Sequence, residues 1–212
     1  MSWGPHIGAA FALGFALGAA PGPVQLLLLT ETAKRGFSGG LRVMIGANGT
    51  LLAVMVALAF GFSSLEPSEG LLRGLRLLGG AFLIYLAVDE LRRLRREATD
   101  DPTRVIDGAP RMGPTMRGIV SVILNPGAWI FFATTASAVI AEATADAGRD
   151  AALAAAVAMT VGVSLSDFMF TLLGSGGRTL FGERGLRWIR GGLSLGLSAI
   201  GLAFFLQGVR GP

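Results

Sequence analysis

Asp167 stands alone as an acid within a long apolar stretch, Val161-Gly162-Val163-Ser164-Leu165-Ser166-Asp167-Phe168. A carboxylate at the centre of a bilayer costs about 2.5–3.5 kcal/mol on insertion scales. Binding a proton removes that cost, which suits such a group to carrying protons. The plainer alternative is a carboxylate satisfied by neighbouring hydroxyls, with a structural role only. Two further places invite chemistry, Pro21-Gly22-Pro23 and Asn125-Pro126-Gly127, each inside a run without charged side chains. Proline lacks an N–H, and its ring clashes with the carbonyl four residues back. The carbonyls of Leu17 and Ala19 are therefore expected to lose their partners. Freed carbonyls accept hydrogen bonds, and half-helix N-termini donate them with a favourable dipole. Gly22 and Gly127 let a ligand approach the backbone. The candidate binding set is Pro21, Gly22, Pro23, Gln25, Asn48, Asn125 and Pro126, with Asp167 for proton coupling. Thr50, Thr134, Thr135, Ser164 and Ser166 lie at similar depth and suit hydrogen bonding between helices. Glu31 reads as an interfacial pair with Lys34 and Arg35. Trp129 packs in the bundle or lines a path; Trp3 and Trp188 fit interfacial anchors.

Other chemistry is excluded by composition. There is no cysteine, so disulfides, thiol chemistry and cysteine metal sites are absent. His6 is the sole histidine, which rules out an imidazole-rich metal site. No cofactor and no metal are expected. An enzyme buried in a membrane needs a nucleophile with its base, a metal or paired carboxylates, and these are missing.

The elements that must hold these residues are membrane spans. Of the 212 residues, 52% are hydrophobic and only 15% charged, with mean hydropathy +0.62. Soluble domains carry about 25% charged residues. The 32 glycines follow no collagen period and suit close helix packing in lipid. The fold class expected is all-α: a polytopic membrane protein with six transmembrane helices in one transporter domain, 1–212. The spans are expected at about 5–30, 39–65, 71–91, 118–141, 151–174 and 191–209, with a cytoplasmic linker over 92–117. The N-terminal run lacks a basic start and continues past Gly18-Ala19-Ala20, so it reads as a retained span rather than a cleaved signal.

Placing the linker in the cytoplasm puts fourteen of the 18 basic residues inside and leaves Arg73, Arg76, Arg149 and Arg210 outside. The positive-inside rule then sets both termini outside, periplasmic or extracellular. Each half of three spans opens with a proline-broken helix. This pattern implies a 3+3 inverted repeat, resting on hydropathy and break position alone. The run Arg92-Arg93-Leu94-Arg95-Arg96 is the topogenic signal expected beside a span, with contact to anionic lipid headgroups as a by-product. Nucleic acid is not an expected partner.

Four ordered stretches resemble a known family. They are Phe11-x-x-Gly14 with Pro21-Gly22-Pro23; Lys34-Arg35-Gly36 with Gly39, Gly46 and Gly49; Gly79-Gly80-Ala81-Phe82-Leu83-Ile84-Tyr85-Leu86; and Gly118 with Leu124-Asn125-Pro126 and Phe131-Phe132. The chain resembles the LysE/RhtB group of bacterial amino-acid exporters over essentially its whole length. Gly127 stands where the family often has lysine, and Ala87 where a glycine is common. The resemblance implies an inner-membrane exporter of amino acids or related small metabolites, driven by the proton gradient. An amino-acid zwitterion wants donors at its carboxylate and acceptors at its ammonium, and two broken helices supply both. The competing readings are a non-transporting membrane scaffold and, more remotely, an intramembrane enzyme. Glycine-rich faces permit a homodimer.

Overall fold

The computed structural model describes residues 3–20, 22–61, 68–98 and 112–210, and every regular element among them is helical. In order these are α1 (Gly4–Ala19), α2 (Pro23–Arg35), α3 (Phe37–Ala59), α4 (Glu69–Ala98), α5 (Pro114–Ile123), α6 (Pro126–Phe131), a π-helical turn (Phe132–Ala136) and α7 (Ser137–Arg210). Pro23, Pro114 and Pro126 each sit in a first helical turn, where the missing N–H has no partner to lose. Long α7 is broken where Gly148 and Gly182 take φ values of 80° and 62°, a backbone region that glycine enters without a Cβ penalty. These breaks divide it into segments 137–147, 149–181 and 183–210.

Four helical stretches are long and apolar enough to cross a membrane: Phe37–Ala59, Glu69–Arg92, Pro126–Gly176 and Arg187–Arg210. Helices α1 and α2, bent by 64°, make a fifth if counted as one broken span. Several expected boundaries are corrected. The chain does not become a loop at Arg92, because α4 continues to Ala98. Arginine and leucine are good helix formers, and leaving the apolar layer does not end a helix. Helix α5 begins at Pro114, so Arg117 lies inside it and is buried. The acidic stretch after Ala141 is helical up to Gly148, and the basic stretch before Gly191 is helical with its break at Gly182. Of the turn that Glu66-Pro67-Ser68-Glu69-Gly70 suggests between the second and third spans, Glu69 and Gly70 already belong to α4, while 66–67 and the middle of the linker, 99–111, lie outside the described residues.

The helices meet backbone to backbone. A methyl group on Gly14 in α1 would run into the Met159 carbonyl of segment 149–181, and one on Gly162 into the Phe11 carbonyl facing it. Helices α3 and α5 repeat this: Gly46 faces the Thr115 carbonyl and Gly118 the Val43 carbonyl. In α4, Gly80 lies against the Gly201 carbonyl, and Gly201 against that of Gly80. Small residues allow this approach, which drives helix association where lipid supplies no hydrophobic force. The core between the helices holds Leu51, Met55, Phe132, Met159 and small alanines. The outward faces are apolar too, with Ile45, Leu78, Leu173 and Leu195 exposed.

Gly46→Val puts a branched side chain against the α5 backbone, and overpacking of this kind costs about 1–3 kcal/mol or more. The expected result is a lower melting temperature in detergent and a poorer yield of monodisperse protein. Gly49→Ala, where a Cβ meets nothing within 4 Å, should leave both unchanged or slightly improved.

Candidate functional site

Each helix break is repaired by a side chain from just beyond it. Helix α1 ends with the Ala20 N–H donating to the Ala16 and Leu17 carbonyls at 3.2 and 3.3 Å. The Leu17 carbonyl therefore keeps a partner, contrary to the sequence expectation. The Gly18 carbonyl is taken instead by Gln25 Nε2 at 3.1 Å. At the second break, Gly127 N–H donates to Asn125 Oδ1 at 3.0 Å, so Asn125 caps α6. Trp129 Nε1 donates to the Ile123 carbonyl at 2.7 Å, and its ring stands edge-on to Phe132 at 6.0 Å. Backbone polar groups at membrane depth need partners within the protein, and Gln25 and Trp129 supply them from side chains.

The two breaks open on one cavity of about 300 Å³. Gly22, Pro23, Gln25, Asn48, Asn125 and Asp167 all contribute to its wall, as does Gly127. Pro126 is buried next to Asn125 but is not part of the wall. Pro21 lies outside the described residues. Among the apolar lining residues are Leu51, Phe131, Phe132, Val163 and Phe204. Phe132 opens the π-helical turn, and its carbonyl accepts from both the N–H and, at 2.5 Å, the hydroxyl of Ser137. Such turns are frequent at functional sites.

Asp167 has no exposed surface. Gln25 Nε2, already bonded to Gly18, also donates to Asp167 Oδ1 at 3.3 Å. One amide thus joins the first break to an acid far along the chain. The partner of this carboxyl among the described residues is an amide, not the hydroxyls that the plainer sequence reading supposed. The Asn48 carboxamide is the other amide facing this carboxyl, yet Asn48 Nδ2 and Asp167 Oδ2 are both buried without a hydrogen-bond partner. Buried polar atoms are nearly always paired, and an exception calls for an explanation. Thr50 and Thr134 do not bridge helices: their hydroxyls donate to the Gly46 and Ile130 carbonyls of their own helices at 2.9 and 2.8 Å.

Toward the other end of α2 lies a second polar centre that the sequence did not reveal. Glu31 has no exposed surface and is held by Arg117 Nη1 at 2.7 Å and Arg35 Nε at 2.9 Å. Arg117 also reaches Asp89 Oδ2 at 2.9 Å and the Met112 carbonyl at 3.0 Å. Lys34 pairs with Glu90 at 2.6 Å rather than with Glu31, and Arg190 holds the other Glu90 oxygen at 2.7 Å. The expected interfacial pair at Glu31 is therefore a buried network joining α2, α4, α5 and the last segment of α7. Its one sequence signal is the acidic pair Asp89-Glu90 amid the inner basic residues. Elsewhere, ligand atoms of His6, Glu142 and Asp146 lie within 4.8 Å of one another. Both carboxylates are exposed, and His6 meets Asp146 at 3.4 Å as an ordinary surface pair.

A family model described as "LysE type translocator" matches residues 15–208. The chain belongs to the LysE type translocator family. Its match to "Uncharacterized membrane protein PA4757" of Pseudomonas aeruginosa is 35% identical over 118 residues, spanning 53% of each chain, so it covers about half of that relative's length. It is 24% identical over 199 residues to "Putative amino acid efflux protein YcgF" of Bacillus subtilis (strain 168), covering 93% of this chain and 94% of the relative. No solved structure matches the chain. This LysE type translocator is thus a membrane protein of a transport family, and the family assignment speaks for a transporter rather than an enzyme.

Trp129→Phe in this translocator keeps an aromatic ring and removes the donor to the Ile123 carbonyl. Leaving this acceptor unpaired at membrane depth costs about 1–3 kcal/mol. The thermal unfolding midpoint in detergent should fall accordingly; an unchanged midpoint would show that the carbonyl needs no indole.

Proposed function

We propose that this translocator is a secondary exporter of amino acids or related small metabolites, coupled to protons, and that it works by alternating access around its two helix breaks. The observation that carries the reading is the cavity where both breaks and the partly unpaired Asp167 meet. A discontinuous helix in each half, with the site between them, is the recurrent arrangement of secondary transporters. The name of the Bacillus subtilis relative, an amino acid efflux protein, points the same way. In this mechanism Asp167 takes up a proton on one side of the membrane and releases it on the other.

A six-span, 3+3 inverted arrangement within one domain fits the packing. The stretch Pro126–Gly176 has 51 residues, about 76 Å of helix, more than twice an apolar layer of about 30 Å. The positive φ of Gly148 lies within it, which supports reading two spans there. In an inverted repeat spans one and five must pack as spans four and two do. The reciprocal contacts Gly14–Met159 with Gly162–Phe11, and Gly118–Val43 with Gly46–Thr115, have that form. The mutual Gly80–Gly201 contact suits spans three and six, which such a symmetry would relate directly.

The buried ion network supports alternating access. By helical rise Glu31 lies about 9 Å beyond Gln25. The network ties together helix ends that the positive-inside rule assigns to the cytoplasm, and we read it as the closed inner gate. Buried ion pairs contribute little net stability compared with apolar packing, because desolvation offsets their attraction. Such a gate can open into water without a prohibitive loss. The same orientation places both termini outside the inner membrane of a bacterium.

Reconstituted vesicles with an imposed pH gradient test the function. Wild-type protein should move an amino acid against its gradient. Asp167→Asn, folded by its melting curve, should reduce that flux to the level of protein-free vesicles. Full gradient-driven flux through the Asp167→Asn variant would refute proton coupling at this residue.

A further inference from the structure

The cavity wall holds a second kind of information, carried by which charges it contains. Asp167 is the ionisable side chain that the described wall offers; no lysine, arginine or histidine lines it. Its Oδ2 is fully buried and unpartnered, and the Asn48 amide nitrogen beside it is likewise unpaired. Close by, Gly22 caps α2 without a side-chain hydrogen bond, and Pro23 supplies no N–H. The first turn of α2 thus presents backbone N–H groups beside the carboxyl that Gln25 links to that turn. An ammonium fits the unpartnered carboxylate oxygen, and a carboxylate fits the uncapped helix start. Apart from Asn125, the side chains of the remaining wall are apolar, among them Leu51, Phe131, Phe132, Val163 and Phe204.

Resting on the transporter reading above, we infer that this site selects a small α-amino acid with an uncharged, apolar side chain, its ammonium on Asp167 and its carboxylate at the first turn of α2. A volume of about 300 Å³ is at the low end of the range for small-molecule sites, about 300–1,000 Å³, which suits a single amino acid. Basic amino acids bring a second cation, for which the described wall offers no second carboxylate. Acidic ones bring a second anion into a wall without a cationic side chain. A buried charge without a partner is strongly disfavoured. Selectivity therefore comes from the single charge of the wall.

Ligand-induced thermal stabilisation of the purified full chain tests this without requiring transport. The probes are leucine, phenylalanine, leucinamide, lysine and glutamate. Leucine or phenylalanine should stabilise the protein, with lysine, glutamate and leucinamide at least about tenfold weaker. Leu51→Asp adds a second carboxylate to the wall and should raise lysine affinity by about tenfold or more. Ala128→Asp, at a less buried point of the same wall, makes the same change should Leu51→Asp fail to fold. Equal stabilisation by lysine or glutamate in the wild type overturns the inference, as does a panel with no stabilising member. Leucinamide matching leucine overturns the carboxylate placement. A folded second-carboxylate variant that still ignores lysine overturns the charge argument. Leucine binding with no gradient-driven flux would sink the exporter reading and leave this selectivity standing.

Discussion

Every peptide group carried into lipid must find its partner within the protein, and the two interrupted helices are shaped by that demand. A proline ends one helix and starts the next, stranding carbonyls where no water is at hand. The chain answers with side chains from the following helix. Gln25 reaches back to Gly18, and Trp129 reaches back to Ile123. Asn125 does the complementary task for an N–H. Once so repaired, unwound backbone can stay at depth and face a cavity. The repair by Gln25 has a further effect, because the same amide holds Asp167. The geometry of the break and the position of the acid are therefore fixed by one group, and neither can move far without the other.

Charge is concentrated in two centres of opposite design. Around Asp167 a single acid is held by the neutral amide of Gln25 and leaves an oxygen unsatisfied. Around Arg117 and Glu90 several acids and bases satisfy one another at close range. The first arrangement is incomplete by itself and suits a visiting ligand or proton. In the second each named charge meets one of opposite sign, which suits holding helix ends together. Helix α2 joins them, with Gln25 near its start and Glu31, Lys34 and Arg35 near its end. A tilt of this helix would act on both centres at once.

Much of this could be read from residue types. The prolines within charge-free runs announced the breaks, and a lone acid within an apolar run announced Asp167. Local sequence failed where local rules do not apply. Helix ends in polar stretches were misplaced because Arg92–Ala98 and Glu142–Ala147 contain good helix formers, and hydropathy reports the lipid boundary rather than the end of the helix. The choice of Glu90 by Lys34, and of Arg117 by Glu31, depends on how distant helices are arranged. One sequence alone carries no such information. Thr50 and Thr134 misled for a different reason: a hydroxyl within a helix can always turn to its own carbonyl four residues back.

The π-helical turn at Phe132–Ala136 also bears on how this segment can change over evolutionary time. It accommodates one residue more than a regular α-helix would in the same rise. Deleting a residue there would heal the bulge and swing the preceding helix, relative to the following one, by about 100°. The indole that closes the second break would be carried around with it. Substitutions in this stretch disturb only their own contacts, whereas a change of length rephases a whole helical face. Descendants of this chain should therefore vary in letters here and hold the count constant.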